Sequence, residues 1–134
     1  MIVKITADTN LLVRAIIEDD ARQARLARKE LSDAELVALT LPALCELVWV
    51  LDSQYKVPRP DIAAALRRLI DVENVVLDRP TVDAGLAQLD AGGDFADGVV
   101  AFEGAWLGAE TFVSFDRRAV RLMEARGVAA RLLA

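Results

Sequence analysis

Five acidic residues stand at positions where carboxylates can act together, in a chain that contains no histidine: Asp8, Glu46, Asp94, Asp97 and Asp116. Carboxylate oxygens without histidine or a cysteine cluster favour hard cations, chiefly Mg²⁺ or Mn²⁺. A bound divalent ion can supply a nucleophile from water where no histidine is present to act as a base. The pattern therefore indicates metal-assisted phosphodiester chemistry as the first hypothesis.

The elements that position these acids follow an alternating pattern. Short apolar strands are predicted at 2–7, 36–39, 74–77 and 111–115, with a possible fifth at 128–132. Helices are predicted at 11–17, 21–31, 41–53, 62–70, 80–89, 94–107 and 116–126. This alternation predicts one α/β domain over residues 1–134, with a central, mostly parallel sheet of four to five strands covered by helices on both faces.

The predicted architecture gives the acids a common location. Asp8 follows the first strand and Asp116 follows the fourth, while Asp94 and Asp97 begin a helix after a glycine turn. Glu46 lies one turn into the helix after the second strand. Ligands of open α/β sheets bind beyond the carboxyl ends of the strands. We therefore expect these segments to converge on one edge of the sheet.

Each acid also has a structural interpretation. Asp8, Asp94 and Asp116 are suited to cap helices, and Asp97 would add to an acidic first turn that complements the helix dipole. Glu46 is the only charged residue between positions 41 and 51. A helix that is apolar on all sides is normally buried, so the sequence predicts that Glu46 needs a partner, either a metal ion or an arginine.

Composition narrows the class of protein. The chain has 134 residues, of which 54% are hydrophobic and 28% charged, and no apolar run is long enough for a membrane span. The start of the sequence lacks a signal-peptide pattern and Cys45 is the only cysteine, so we expect a reducing, cytoplasmic location.

Charge is unevenly distributed. A net charge of −5 argues against a surface that coats nucleic acid. Basic residues crowd two segments, Arg22 to Lys29 and Arg117 to Arg126. The sequence leaves open whether each segment is a solvated amphipathic helix or a patch that contacts phosphate.

Four segments together resemble a known family. Ala7-Asp8-Thr9-Asn10-Leu11-Leu12-Val13-Arg14, Leu44-Cys45-Glu46-Leu47-Val48-Trp49-Val50-Leu51, Asp94-Phe95-Ala96-Asp97 and Phe112-Val113-Ser114-Phe115-Asp116 look like those of PIN-domain ribonucleases. The likeness is greatest to VapC-type toxins of bacterial toxin–antitoxin pairs. It covers essentially the whole chain, with the segments in the family's order and approximate spacing.

The resemblance implies a Mg²⁺-dependent endoribonuclease, with Mn²⁺ as an alternative ion. Asp8 and Asp97 match the metal-binding aspartates and Glu46 the helix glutamate, whereas Asp94 and Asp116 would bind a second ion or orient its waters. Supporting roles are implied for Thr9, Asn10 and Ser114. Gly98 departs from the alanine usual in the toxins. The family also implies an RNA substrate, an inhibitory antitoxin and a homodimer, possibly within a larger toxin–antitoxin assembly, for which Trp49 and Trp106 are candidate contacts or core residues.

Three other classes fit the sequence less well. A catalytically silent PIN-like binding or regulatory module is the main alternative, although such a module has little need for all five acids. A phosphoacceptor receiver domain needs a lysine at the end of a late strand, and the only lysines are Lys4, Lys29 and Lys56. A dinucleotide-binding domain needs a glycine-rich fingerprint after the first strand, which is missing.

Overall fold

The structure, a computed structural model, describes residues 3–134, so Ile2 of the predicted first strand lies outside the described residues. Within that range the strands are β1 Lys4–Thr6, β2 Leu36–Ala38, β3 Val75–Val76, β4 Phe112–Ser114 and β5 Ala130–Leu132. The helices are α1 Thr9–Ile16, α2 Ala21–Asp33, α3 Leu41–Ser53, α4 Arg59–Ile70, α5 Arg79–Asp90, α6 Phe95–Trp106 and α7 Arg117–Ala125. The predicted alternation of strands and helices is confirmed.

The chain forms two compact units, an N-terminal unit of Met1–Asp78 and a C-terminal unit of Arg79–Ala134. In the N-terminal unit, β1, β2 and β3 form a parallel sheet in that order. Its register pairs Ile5 with Val37 and Val37 with Val75. In the C-terminal unit, β4 and β5 pair in parallel, with Val113 opposite Arg131. The α/β class and the parallel pairing are therefore confirmed, whereas the sheets observed have three and two strands.

Local sequence accounts for the starts of five helices and for the end of α7. Asp8, Asp20, Thr40, Asp94 and Asp116 each cap the helix that follows, through a side-chain oxygen that accepts a backbone N–H bond. Gly127 has a φ of +81° directly after α7, and the Val128 N–H reaches back to the Met123 carbonyl. This is a left-handed helix ending, which glycine favours because it adopts positive φ without steric cost.

Each unit has its own apolar core. The N-terminal core contains Leu12, Val37, Leu44, Leu47, Leu51, Ile62 and Leu66, and the C-terminal core contains Val82, Leu86, Phe95 and Met123. The Phe95 ring lies over Gly85 of α5, where an added Cβ would come within 2.7 Å of the ring. Glycine therefore allows α5 and α6 to pack closely, which fixes the start of α6 and its acids.

Within residues 3–134, no helix is both long enough and apolar enough to cross a membrane.

Candidate functional site

Asp8 and Glu46 line one cleft of about 570 Å³ in the N-terminal unit. Asp8 directly follows Ala7, whose N–H donates to the Ala38 carbonyl at the end of β2. The Thr9 hydroxyl donates to the Ala43 carbonyl at 3.3 Å and so connects the start of α1 to the first turn of α3. The sheet edge and this bond bring Asp8 and Glu46, 38 positions apart in sequence, to the same cleft.

Asp8 keeps part of its carboxylate free for a ligand. Its Oδ1 accepts the Leu11 N–H at 2.9 Å, which confirms the capping interpretation. The other oxygen is not needed for the cap, and Asp8 is exposed. Thr9 and Asn10 also line the cleft, so two of the three predicted supporting residues lie beside Asp8. Capping and cation binding are thus compatible at this position.

The prediction for Glu46 is wrong in one respect. Its side chain is exposed rather than buried, because it shares the outer face of α3 with Pro42 and Trp49. The inner face of α3 carries the buried Leu44 and Leu47. Helical periodicity places positions 42, 46 and 49 on the same side, so solvent satisfies the Glu46 carboxylate. Glu46 is therefore associated with Asp8 because both residues line the same cleft, and not because Glu46 is buried.

The cleft has uncompensated negative charge. Arg14 is its only basic lining residue within the described part of the chain. The Arg14 guanidinium is engaged with Asp19, donating to both carboxylate oxygens at 3.1 and 3.3 Å. Tyr55, another lining residue, also donates to Asp19. Asp8 and Glu46 form no ion pair within residues 3–134, which leaves two carboxylates available to a cation.

Three further acids lie together in the C-terminal unit. Asp94 caps α6 by accepting the Ala96 N–H at 3.1 Å, and Asp116 caps α7 by accepting the Ala119 N–H at 3.0 Å. The Ser114 hydroxyl oxygen accepts the Asp116 N–H at 2.9 Å. Ser114 therefore orients the turn that carries Asp116, which gives its predicted supporting role a structural basis.

Asp97 is the half-buried member of this acidic cluster, which we define as Asp94, Asp97 and Asp116. Burial raises the pKa of the Asp97 carboxyl, and the negative charges of Asp94 and then Asp116 raise it further. Asp97 therefore lies close enough to Asp94 and Asp116 for their charges to act on it. A divalent cation among them would remove the repulsion, so the donor set suits Mg²⁺ or Mn²⁺ chemically.

The acids do not form a complete protein cage for a metal. Among residues 3–134, no group of three or more acidic or cysteine side chains is close enough to hold an ion by itself. Mg²⁺ usually keeps several waters and takes only one or two protein carboxylates. These carboxylates could therefore supply only part of the coordination of a hydrated ion.

Sequence reasoning missed the residues that support the acidic cluster. Gln88 is fully buried, and its Oε1 accepts bonds from Arg126 Nε and Nη2 at 3.2 and 2.8 Å. A Cβ added at Gly93 would lie 2.7 Å from Gln88 Nε2, and one at Gly98 would lie 2.5 Å from the Ala84 carbonyl oxygen. Gly93 before Asp94 and Gly98 after Asp97 were the available signal, because glycine allows another part of the chain to approach the backbone closely.

Some side chains of the two basic segments form ion pairs or hydrogen bonds, and others form none within the described chain. Arg28 pairs with Glu18 and Lys29 with Asp33, which confirms the amphipathic, ion-paired interpretation for part of the first segment. Arg126 is held by Gln88. The exposed guanidinium groups without a hydrogen bond or ion pair in the described chain include Arg22, Arg25, Arg117, Arg118 and Arg121.

The core interpretation of the two tryptophans is wrong. Trp49 of α3 is 61% exposed and Trp106, at the end of α6, is 78% exposed. Leu107 next to Trp106 is also exposed. Both rings are therefore available for contacts with another molecule.

Comparison with models of known protein families gives no match, and comparison with curated proteins gives none either.

Proposed function

We propose that this protein is a Mg²⁺- or Mn²⁺-dependent endoribonuclease that acts as the toxin of a toxin–antitoxin pair. The observation that carries the proposal is the acidic cluster, in which a half-buried Asp97 is repelled by Asp94 and Asp116. Carboxyl groups with perturbed pKa values concentrate at functional sites. The cleft with Asp8 and Glu46 adds two carboxylates without a basic partner.

The proposed chemistry assigns each acid a role. As the family resemblance implies, Asp8 and Asp97 would provide ligand oxygens for the metal, while Glu46, Asp94 and Asp116 would bind a second ion or orient its waters. The caps at Asp8, Asp94 and Asp116 each use one carboxylate oxygen, so the other oxygen would be left for a cation. When bound, the divalent ion supplies hydroxide at neutral pH and stabilises charge on the phosphate.

The proposal includes a PIN-like fold, in which one mostly parallel sheet of four to five strands carries these acids. The parallel pairing within each unit and the position of Asp8 and Asp116 directly after β1 and β4 support it. The proposal that all these strands belong to one sheet rests on the resemblance of the four acidic segments to PIN-domain ribonucleases.

The proposed partners are RNA, an antitoxin and a second copy of the chain. An antitoxin would inhibit by placing an arginine among the carboxylates, since a guanidinium matches carboxylate geometry and displaces a cation. The exposed Trp49 and Trp106 support apolar contacts with a protein partner. A purified complex with the antitoxin should cleave RNA more slowly than the free chain, and equal rates would favour a stand-alone nuclease.

The central test is RNA cleavage by the wild-type chain and by Asp97→Asn. We expect cleavage with Mg²⁺ or Mn²⁺, loss of cleavage with EDTA, and loss of cleavage in the variant with its helical circular dichroism intact. Glu103→Gln is the matched control, because Glu103 is an exposed acid on the same helix and lies outside the acidic cluster. Full activity of Asp97→Asn would refute the assignment.

A catalytically silent binding module is the alternative. It is favoured by the capping roles of three acids and by the incomplete metal cage in residues 3–134. Mn²⁺ binding, measured by water proton relaxation, separates the two. A module that binds RNA without metal and never cleaves it would replace the nuclease proposal.

A further inference from the structure

Arg118 lies beside the turn that leads into the acidic cluster. It belongs to the first turn of α7, two residues after Asp116. A Cβ built on Gly92 would lie 3.2 Å from Arg118 Nη2. The guanidinium therefore reaches the Gly92-Gly93 turn, which immediately precedes Asp94.

Glycine and Gln88 hold this turn in place. Gly92 has a φ of +99°, a conformation that residues with a side chain adopt at a cost. Gln88 is buried under the next residue, with Nε2 2.7 Å from the Cβ position of Gly93. Its backbone carbonyl accepts the Gly93 N–H at 2.8 Å. Arg118 thus lies against a turn whose backbone is fixed by a buried residue.

The Arg118 charge is not used within the protein. Its side chain is exposed and forms no hydrogen bond or ion pair with the described residues. By contrast, Arg126 of the same segment donates two hydrogen bonds to Gln88.

A polyanionic substrate needs such a group. The chain has a net charge of −5, and three carboxylates lie together next to this turn, so RNA without a local cation would be repelled. A guanidinium binds a phosphate through two parallel hydrogen bonds, and the beginnings of α6 and α7 add dipoles that favour an anion.

We propose that Arg118 is a positioning residue that binds a backbone phosphate of the RNA strand beside the acidic cluster. The inference rests on the proposed nuclease function and adds to it the residue that holds the substrate there. Arg118 itself takes no part in bond cleavage.

Binding of RNA tests this role separately from cleavage. In the Asp97→Asn background, a fluorescein-labelled single-stranded RNA of twelve nucleotides is titrated by anisotropy at several KCl concentrations. Arg118→Gln should weaken binding about tenfold, and the slope of log affinity against log salt should fall by about 0.7, the value for one phosphate contact on a single strand. Arg131→Gln is the matched control, because Arg131 is an exposed and unpaired arginine of β5 in the same unit.

Kinetics in the chain with Asp97 intact complete the test. Arg118→Gln should raise KM more than it lowers kcat, since the phosphate contact is already present in the bound substrate. Arg118→Lys should recover part of the affinity, because it keeps the charge but loses the two-bond geometry. Melting temperatures of all variants should match the control.

The outcomes distinguish the two proposals. Equal affinities and salt slopes for Arg118→Gln and Arg131→Gln, with normal cleavage by the wild type, would overturn only the role of Arg118. A wild-type chain that cleaves no RNA with Mg²⁺ or Mn²⁺ would overturn the nuclease function and the inference built on it.

Discussion

Replacing Gly98 with alanine tests whether the close packing of α5 and α6 positions the acidic cluster. Gly98 follows Asp97 directly and is buried against α5. An added Cβ would lie 2.5 Å from the Ala84 carbonyl oxygen and 2.9 Å from the Gly85 Cα. Both neighbours are backbone atoms, so no side-chain rotation relieves the clash and the two helices must separate.

The magnitude follows from two opposing effects. Overpacking a close contact costs about 1–3 kcal/mol. Alanine in place of glycine inside a helix gains about 1 kcal/mol. The net result is a free energy of unfolding up to about 2 kcal/mol lower than that of the wild type.

Gly104→Ala is the matched control on the same helix. The Cβ at this position would lie 4.0 Å from the Ala109 Cβ, which is an ordinary contact. Only the higher helix propensity of alanine then affects stability, so this variant should be about 0.5–1 kcal/mol more stable than the wild type. The two glycine-to-alanine changes therefore have opposite expected signs.

Urea unfolding followed by circular dichroism measures both variants by linear extrapolation. Because α6 must move to admit the methyl group, Gly98→Ala should also weaken Mn²⁺ binding and slow RNA cleavage, whereas Gly104→Ala should leave both unchanged. If Gly98→Ala proves as stable as Gly104→Ala, the close helix contact does not exist and the reasoning fails.

Substitutions at three of the acids distinguish the effect of the carboxylate charge on activity from its effect on stability. Without metal at pH 7, Asp97→Asn should be more stable than the wild type, because a raised carboxyl pKa lowers wild-type stability as pH rises above the ordinary value of 3.8. Urea titrations at several pH values should show this gain in stability vanish below pH 3.8. A gain that persists in acid would contradict the prediction. Glu46→Gln should slow RNA cleavage without changing stability. Asp52 is another exposed acid of α3, so the control variant Asp52→Asn should change neither cleavage nor stability. Equal cleavage rates for the two variants would remove Glu46 from the site. Asp116→Asn should keep the α7 cap but lose activity. Asp116→Ala should lose activity and also lower the free energy of unfolding, measured by thermal unfolding, by about 1 kcal/mol. An equal loss of stability in both variants would show that the cap depends on charge.

The sequence predicted the elements well because their signals are local. Asp8, Asp94 and Asp116 were identified as possible caps from their type and position, and each accepts a backbone N–H bond. Strand and helix bounds agree to within a few residues, since the apolar runs and capping residues that mark them act over about one turn of chain. The α/β class follows from the order of these elements alone.

Exposure could not be predicted in the same way. The apolar composition of α3 suggested that Glu46 is buried, yet Glu46 and Trp49 share its exposed face. Which face of a helix meets a neighbour depends on how several helices pack, and a single apolar helix does not contain that information. The same reason explains why Trp106 appeared suitable for the core.

By itself, the sequence determined which residues carry carboxylates, where each stands along its strand or helix, and that no histidine is available to act as a base. Only the tertiary structure decided that Asp97 is half-buried among Asp94 and Asp116, and that Asp8 and Glu46 share a cleft. These relations join residues distant in sequence, and they depend on glycine contacts of a few ångströms between α5 and α6 and on the pairing of β1 with β2. Side-chain type is fixed locally, whereas distance and burial are set by packing.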